Sequence, residues 1–262
     1  MTVLRYTVPP ENEGCKLGLF LRLQGVTAGL IKSVKYDGDG FYADDQPIRT
    51  NEPVHAGQCI RFALPPEQET SVTPQPVPFS IAYEDDFAAV LNKPAGMAVH
   101  GGYDRGEPTV ANALAAYLGP DAVFHPVNRP DRGTSGVMLV ARSGYVHDRL
   151  RRVLHTGDFR RTYLAVACGT GLPPRGTIDL PIARADDGST RRIPAPGGQP
   201  SVTDYTVLAE RDGCTLLRVA PPTGRTHQIR VHMEYINHWV VGDQTYGNPG
   251  KSSNLGLCRQ FL

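Results

Sequence analysis

The chain has 262 residues, of which 40% are apolar and 20% charged, and a formal net charge of +1. Such a chain holds one large domain, or one with a small module, and buries an ordinary core, which excludes a disordered or broadly basic protein. No apolar run nears the length of a membrane span, Met1-Thr2-Val3-Leu4-Arg5 lacks a signal-peptide pattern, and the five scattered cysteines (Cys15, Cys59, Cys168, Cys214, Cys258) argue against a disulfide framework or zinc site and for a reducing cytoplasm.

Leu17, Leu19, Phe20, Leu21 and Leu23 predict one helix and Ala28 to Val34 a second. Short strands are expected at Gly40–Ala43, Pro47–Arg49 and Cys59–Leu64. The polar, proline-rich stretch Glu67–Pro78 reads as a linker, dividing the chain into residues 1–70 and 71–262. Two short helices followed by a small sheet resemble an S4-type RNA-binding module. Seven Lys or Arg against nine Asp or Glu over residues 1–75 give it a net charge of −2, odd for a binder of phosphate backbone. Lys32 and Lys35 on its second helix are the only residues there nominated for RNA contact. A remnant docking or stabilising domain is an equal reading.

The most informative segment is Asn128-Arg129-Pro130-Asp131-Arg132-Gly133-Thr134-Ser135-Gly136, which runs into the apolar strand Val137–Val140. An arginine within reach lowers an aspartate's pKa by about one to three units, so Asp131 would stay ionised, as a nucleophile or base requires. The bland alternative is an ion pair closing a turn. Between Arg129 and Tyr163 eight Arg against three Asp make a local charge of +5, enough to meet phosphates, although Arg149, Arg151 and Arg152 singly read as a solvated helix face. Ser143 is placed to cap a helix carrying Val146, Leu150, Val153 and Leu154 on one face, with Gly157 after its end. Tyr163 then lies in a strand on the same face as Ala165 and Ala167.

Arg184 to Gly198, rich in Gly, Pro, Asp and Arg, reads as a long exposed loop. Thr226 to Tyr235 reads as a helix, because Ile229, Met233 and Ile236 recur at i, i+4 and i+7. His227 and His232 are five apart and do not converge on one metal. Gly133-Thr134-Ser135-Gly136-Val137 lacks the last glycine of a hydrolase elbow, and no phosphate loop is present. A glycoside-type hydrolase built on Asp131 lacks a partner carboxylate in the motif.

Arg129 to Gly136 resembles the Arg-x-Asp-x-x-Thr-Ser-Gly signature of the RluA-type RNA pseudouridine synthases. Three further motifs resemble the same family in its order: Tyr83–Asp85 with Leu91–His100, Arg161–Val166, and Gly224–His232 with Val241–Gly247. The resemblance implies an α+β fold with a long mixed, mostly antiparallel sheet and the cleft at Asp131, after the small S4-like α/β module. It also implies isomerisation of uridine in ribosomal or transfer RNA, with no metal or other cofactor, by a cytoplasmic monomer. It gives Asp131 the essential role, Arg230 that of its ionic partner, Tyr163 that of a base-stacking tyrosine, and Arg129 that of filling the gap left by a flipped base. Arg225 of the last motif is a further RNA-contact candidate. Two departures stand out. Pro130 replaces the family's Leu and removes a backbone donor beside Asp131, and the chain stops at Leu262, at the start of the family's final strand. A non-catalytic RNA-binding protein on the same fold is the alternative.

Overall fold

A computed structural model describes residues 2–66, 72–101, 106–119, 123–154, 156 and 159–247. The expected end strand at 257–262, Gly157 and the first part of the linker, 67–71, lie outside the described residues.

The N-terminal part is a four-stranded antiparallel sheet with two helices. Strands β1 (Val3–Thr7), β2 (Phe41–Ala43), β3 (Gln46–Ile48) and β4 (Cys59–Ala63) lie in the order β1-β4-β2-β3. Helices α1 (Leu17–Leu23) and α2 (Ala28–Tyr36) stand where the apolar spacing put them, and Thr27 caps α2 by accepting from the Leu30 N–H at 3.2 Å. Leu17, Phe20, Leu21, Val34, Ile60 and Phe62 fill the core between helices and sheet. Strand β1, not foreseen, joins by pairing with β4. Asp44 and Asp45 make the β2–β3 turn with φ of 46° and 66°, the left-handed pair that a two-residue hairpin demands.

The end of the expected linker is pinned: Asn112 donates from Nδ2 to the Thr73 carbonyl at 2.8 Å and accepts at its own carbonyl from the Gln75 N–H. Asn112 belongs to α3 (Val110–Leu118), which opens on a capping box with Thr109. Beneath it lies a second antiparallel sheet, β5 (Ser80–Glu84), β6 (Ala88–Lys93), β8 (Gly136–Ala141) and β7 (His125–Pro126), in that spatial order. Alternate residues Ala89 and Leu91 of β6 meet Met138 and Val140 of β8, and α3 covers them with Val110 and Leu114.

A third sheet runs β10 (Arg175–Asp179), β13 (Val202–Arg211), β14 (Cys214–Ala220), β9 (Tyr163–Cys168). Ala165 and Ala167 of β9, Leu217 and Val219 of β14, and Ile229 and Met233 of α5 (Gln228–Tyr235) form its core. The expected largely antiparallel α+β architecture is present, its strands divided between two four-stranded sheets and a ribbon. That ribbon corrects the reading of 184–198 as loop. β11 (Ile182–Arg184) pairs with β12 (Arg192–Pro194), and a turn in which Asp187 accepts from the Ser189 N–H at 2.9 Å closes it. The turn residues had masked the strand pair.

Helix α4 (Gly144–Val153) starts at Ser143, whose hydroxyl accepts from the Val146 N–H at 3.3 Å. Its arginines are not all solvated. Arg149 donates to the Gln24 carbonyl at 2.7 Å, and a side chain at Gly25 (φ 83°) would start 2.9 Å from Arg152 Nη1 and 3.0 Å from Arg149 Nη1. With a Tyr6–Tyr145 hydroxyl contact, this docks the N-terminal sheet on α4.

Candidate active site

Asp131 sits in the turn between β7 and β8, held by its own backbone: its carbonyl accepts from the Thr134 N–H at 3.0 Å. The segment after β6 clamps this turn. Gly96 donates to the Arg132 carbonyl at 2.8 Å, and Arg132 Nε donates back to the Gly96 carbonyl at 2.8 Å. Lys93, 1% exposed, donates to the carbonyls of Pro94, Met97 and Arg132 at 2.9, 2.8 and 3.2 Å. Burial brings its ammonium pKa down to about 8, although the nearby Asp131 charge works the other way. None of these bonds uses an N–H at position 130, so Pro130 leaves Asp131 in place.

Opposite the turn, Arg230 projects from α5. It donates from Nη1 to Asp131 Oδ2 at 3.1 Å, from Nε to Asp243 Oδ2 at 2.7 Å and from Nη2 to Asp243 Oδ1 at 2.9 Å. The Asp243 side chain is fully buried, Arg230 8% exposed and Asp131 22% exposed, so the cluster opens outward at Asp131. Asp243 Oδ1 also accepts the N–H groups of Thr245 and Tyr246 at 2.9 and 3.1 Å. Burial raises the Asp243 carboxyl, yet Arg230 and these N–H donors outweigh it and hold it low. Burial likewise presses on Arg230's charge, and the two carboxylates outweigh it and push its pKa up. A buried charge persists only with such partners. The Tyr246 ring lies 4.8 Å from the guanidinium.

The family model for RNA pseudouridylate synthase matches residues 88–235, which run from β6 through the Asp131 turn to the end of α5. The chain belongs to that family. Ribosomal large subunit pseudouridine synthase D of Yersinia pestis is 38% identical over 81% of this chain and 68% of its own length. An RNA pseudouridine synthase of Bacillus subtilis without an assigned role is 33% identical over 91% of this chain and 84% of its own. In solved structures, human RNA pseudouridylate synthase domain containing 1 superposes with a TM-score of 0.56 at 27% identity, covering 74% of this chain and 78% of its own. Together these make the chain an RluA-type synthase, an enzyme that isomerises uridine to pseudouridine in RNA.

Within the synthase, Asp131 and Arg230 come together as the family motifs implied. Glu234, one helical turn beyond Arg230, is bound by Arg191 of the ribbon. Tyr163 begins β9, close enough to Asp131 for that charge to act on it. Burial raises its phenol pKa and Asp131 adds to the rise, so Tyr163 stays a neutral phenol at neutral pH, Arg161 opposing. Arg129 is exposed, 3.4 Å from His100 Nε2. Arg225 stands outside the cluster, its Nε bound to the Pro200 carbonyl at 3.2 Å and its N–H to Gln228 Oε1 at 3.0 Å. Lys32 and Lys35 are exposed on α2 of the other module.

Sequence reasoning assigned no role to Asp243, Tyr246, His227 or Lys93. Asp243 and Tyr246 had a signal: a lone acid inside the apolar run Trp239–Val241 and its following turn needs a buried cation. Arg161 was also passed over. Its guanidinium lies so tightly across Gly224 that a Cβ there would stand 2.0 Å from Nη1. Among the described residues no group of three or more His, Cys, Asp or Glu side chains gathers as a metal site.

Proposed function

We propose that the synthase acts on large-subunit ribosomal RNA, with Asp131 as the group that opens the glycosidic bond. The RNA class is supported by the names of the relatives in Yersinia pestis and Haemophilus influenzae, the latter 40% identical over 80% of this chain. The observation that carries Asp131's role is its one-sided pairing: Arg230 takes Oδ2, and no donor among the described residues bonds Oδ1. A carboxylate paired at one oxygen, with the other left without a donor among the described residues, suits attack on the sugar and removal of a sugar proton alike.

The neighbouring residues suit the rest of the reaction. Leaving the RNA stack costs a few kcal/mol, and stacking a base on an aromatic ring returns about 1–3 kcal/mol, a part that fits Tyr163 at the mouth of the buried cluster. Arg129, exposed two residues before Asp131, fits the plug for the vacated stack. Arg225, with Lys32 and Lys35 on the S4-like module of residues 1–70, supplies phosphate contacts. The synthase works in the cytoplasm, as a monomer and without a cofactor. The retained Asp131–Arg230 pair weighs against a non-catalytic binder, for which that buried ionic cluster would be costly and idle.

The test is tritium release from RNA labelled at uridine C5, with unmodified large-subunit ribosomal RNA and bulk transfer RNA as separate substrates. Release from the ribosomal RNA by wild type and none by Asp131→Asn is expected. Release from transfer RNA alone would overturn the RNA assignment, and an active Asp131→Asn variant would overturn the role of Asp131.

A further inference from the structure

His227 is the residue before α5, and its backbone is left-handed, with φ 58° and ψ 17°. A β-carbon in that region costs about 1–2 kcal/mol, and such strain persists where surrounding contacts impose it. The contacts are present. His227 Nδ1 lies 2.8 Å from Tyr246 Oη, the two rings meet edge to face with centroids 5.5 Å apart, and Tyr246 Oη also accepts the Arg192 N–H at 2.8 Å.

This arrangement selects a tautomer. A phenol oxygen that accepts one N–H still has its own hydrogen to give, and Nδ1 is the acceptor within reach. The hydrogen of the neutral ring is then on Nε2. If the ring gains a proton, both nitrogens carry hydrogen, so Nε2 is a donor in either state. Around the ring stand Asp131, Arg230, Asp243 and Arg192, with Tyr246 beneath. Burial favours the neutral ring, and the opposing pulls of these charges leave that preference in place.

We propose that His227 Nε2–H donates a hydrogen bond to a carbonyl oxygen of the target uracil. When the bond between uracil N1 and the sugar breaks, its electron pair leaves with the base, and the negative charge spreads to the carbonyl oxygens. A donor fixed beforehand stabilises that charge, and His227 keeps its proton throughout. The strained backbone has a use on this account: it holds the ring on Tyr246, within the field of Asp131, Arg230 and Asp243. The proposal rests on the uridine-isomerase reading.

The test compares wild type, His227→Phe and His227→Gln in tritium release and in RNA binding. Loss of one such donor costs about 100-fold in kcat. His227→Phe is therefore expected to lose kcat on that scale with RNA affinity unchanged, and His227→Gln, which keeps an N–H donor, to recover most of it. An active wild type with an equally active Phe variant overturns the His227 role alone. Gln no better than Phe overturns it as well. A wild type that releases no tritium instead overturns the isomerase reading. Should the Phe variant not fold, 15N spectra of the wild-type ring decide: hydrogen on Nε2 with bare Nδ1 is expected, and the reverse refutes the proposal.

Discussion

Arg230 serves two carboxylates, and the division of labour is unequal. Asp243 grips it with two hydrogen bonds in full burial, while Asp131 takes one at the open edge. Removing one partner of a buried pair costs about 3–5 kcal/mol, because the remaining charge stays behind. Asp243→Asn is expected to lower stability toward that range in chemical denaturation and to reduce kcat, since Arg230 loses the anchor that aims it at Asp131. Arg230→Ala should do both more strongly. The Asp131 and Arg230 partnership was legible because each sits in an ordered motif. Asp243 is passed over despite its place in the turn after an apolar run, because a motif names residue types and leaves their contacts unstated. Pro130 removes an N–H that the turn's bonds do not use: those come from Gly96, Lys93 and Thr134.

Among elements, the helices followed their spacing well. α1, α2, α4 and α5 fall within a residue or two of their apolar periodicity, and the Ser143 cap is in place. The strands were harder to read. β13 and β14 make the longest pairing among the described residues, with a register shift between Val207 and Ala209, and a bulge of that kind breaks the alternation on which strand recognition depends. The ribbon β11–β12 was hidden by its turn, yet it brings Arg191 onto Glu234 and Arg192 onto Tyr246. At Gly224 the fit across Arg161 leaves no space for a methyl group. Gly224→Ala is expected to displace Arg161 and, through it, disturb Tyr163, cutting turnover while moving the thermal midpoint by only a few degrees. Steady-state kinetics beside a melting curve would test that separation.

For the whole molecule, proton linkage gives a stability profile. Burial depresses the pKa of His147, His227 and His232, His147 also feeling His125. Below the ordinary histidine value the unfolded chain takes up protons that the folded protein resists, so stability falls as pH drops, by about 1.4 kcal/mol per pH unit for each such proton. Melting curves from pH 7 to 5.5 should show the decline, and His232→Asn should flatten it. Lys93 acts at the other end. Its folded pKa of about 8 lies below the unfolded 10.5, so its burial penalty is full below pH 8 and relaxes as pH rises between those values. The stability of wild type relative to Lys93→Met should therefore improve from pH 8 to 10. The α+β class and the order of motifs could be read from the chain. The meeting of two sheets at one ionic cluster could not, because Asp131 and Arg230 are 99 residues apart and only the folded sheets bring them together.

The small contact at Gly25 reaches further than its size. With Arg149 and Arg152 resting where a side chain would begin, the N-terminal module is seated on the helix that follows β8, the strand leading out of the Asp131 turn. Module and cleft therefore behave as the two jaws of a fixed caliper. On the proposal that the module contacts RNA, an RNA touching both would present its uridine at a set distance from its second contact, and spacing in the RNA would be a criterion of choice alongside the bases themselves.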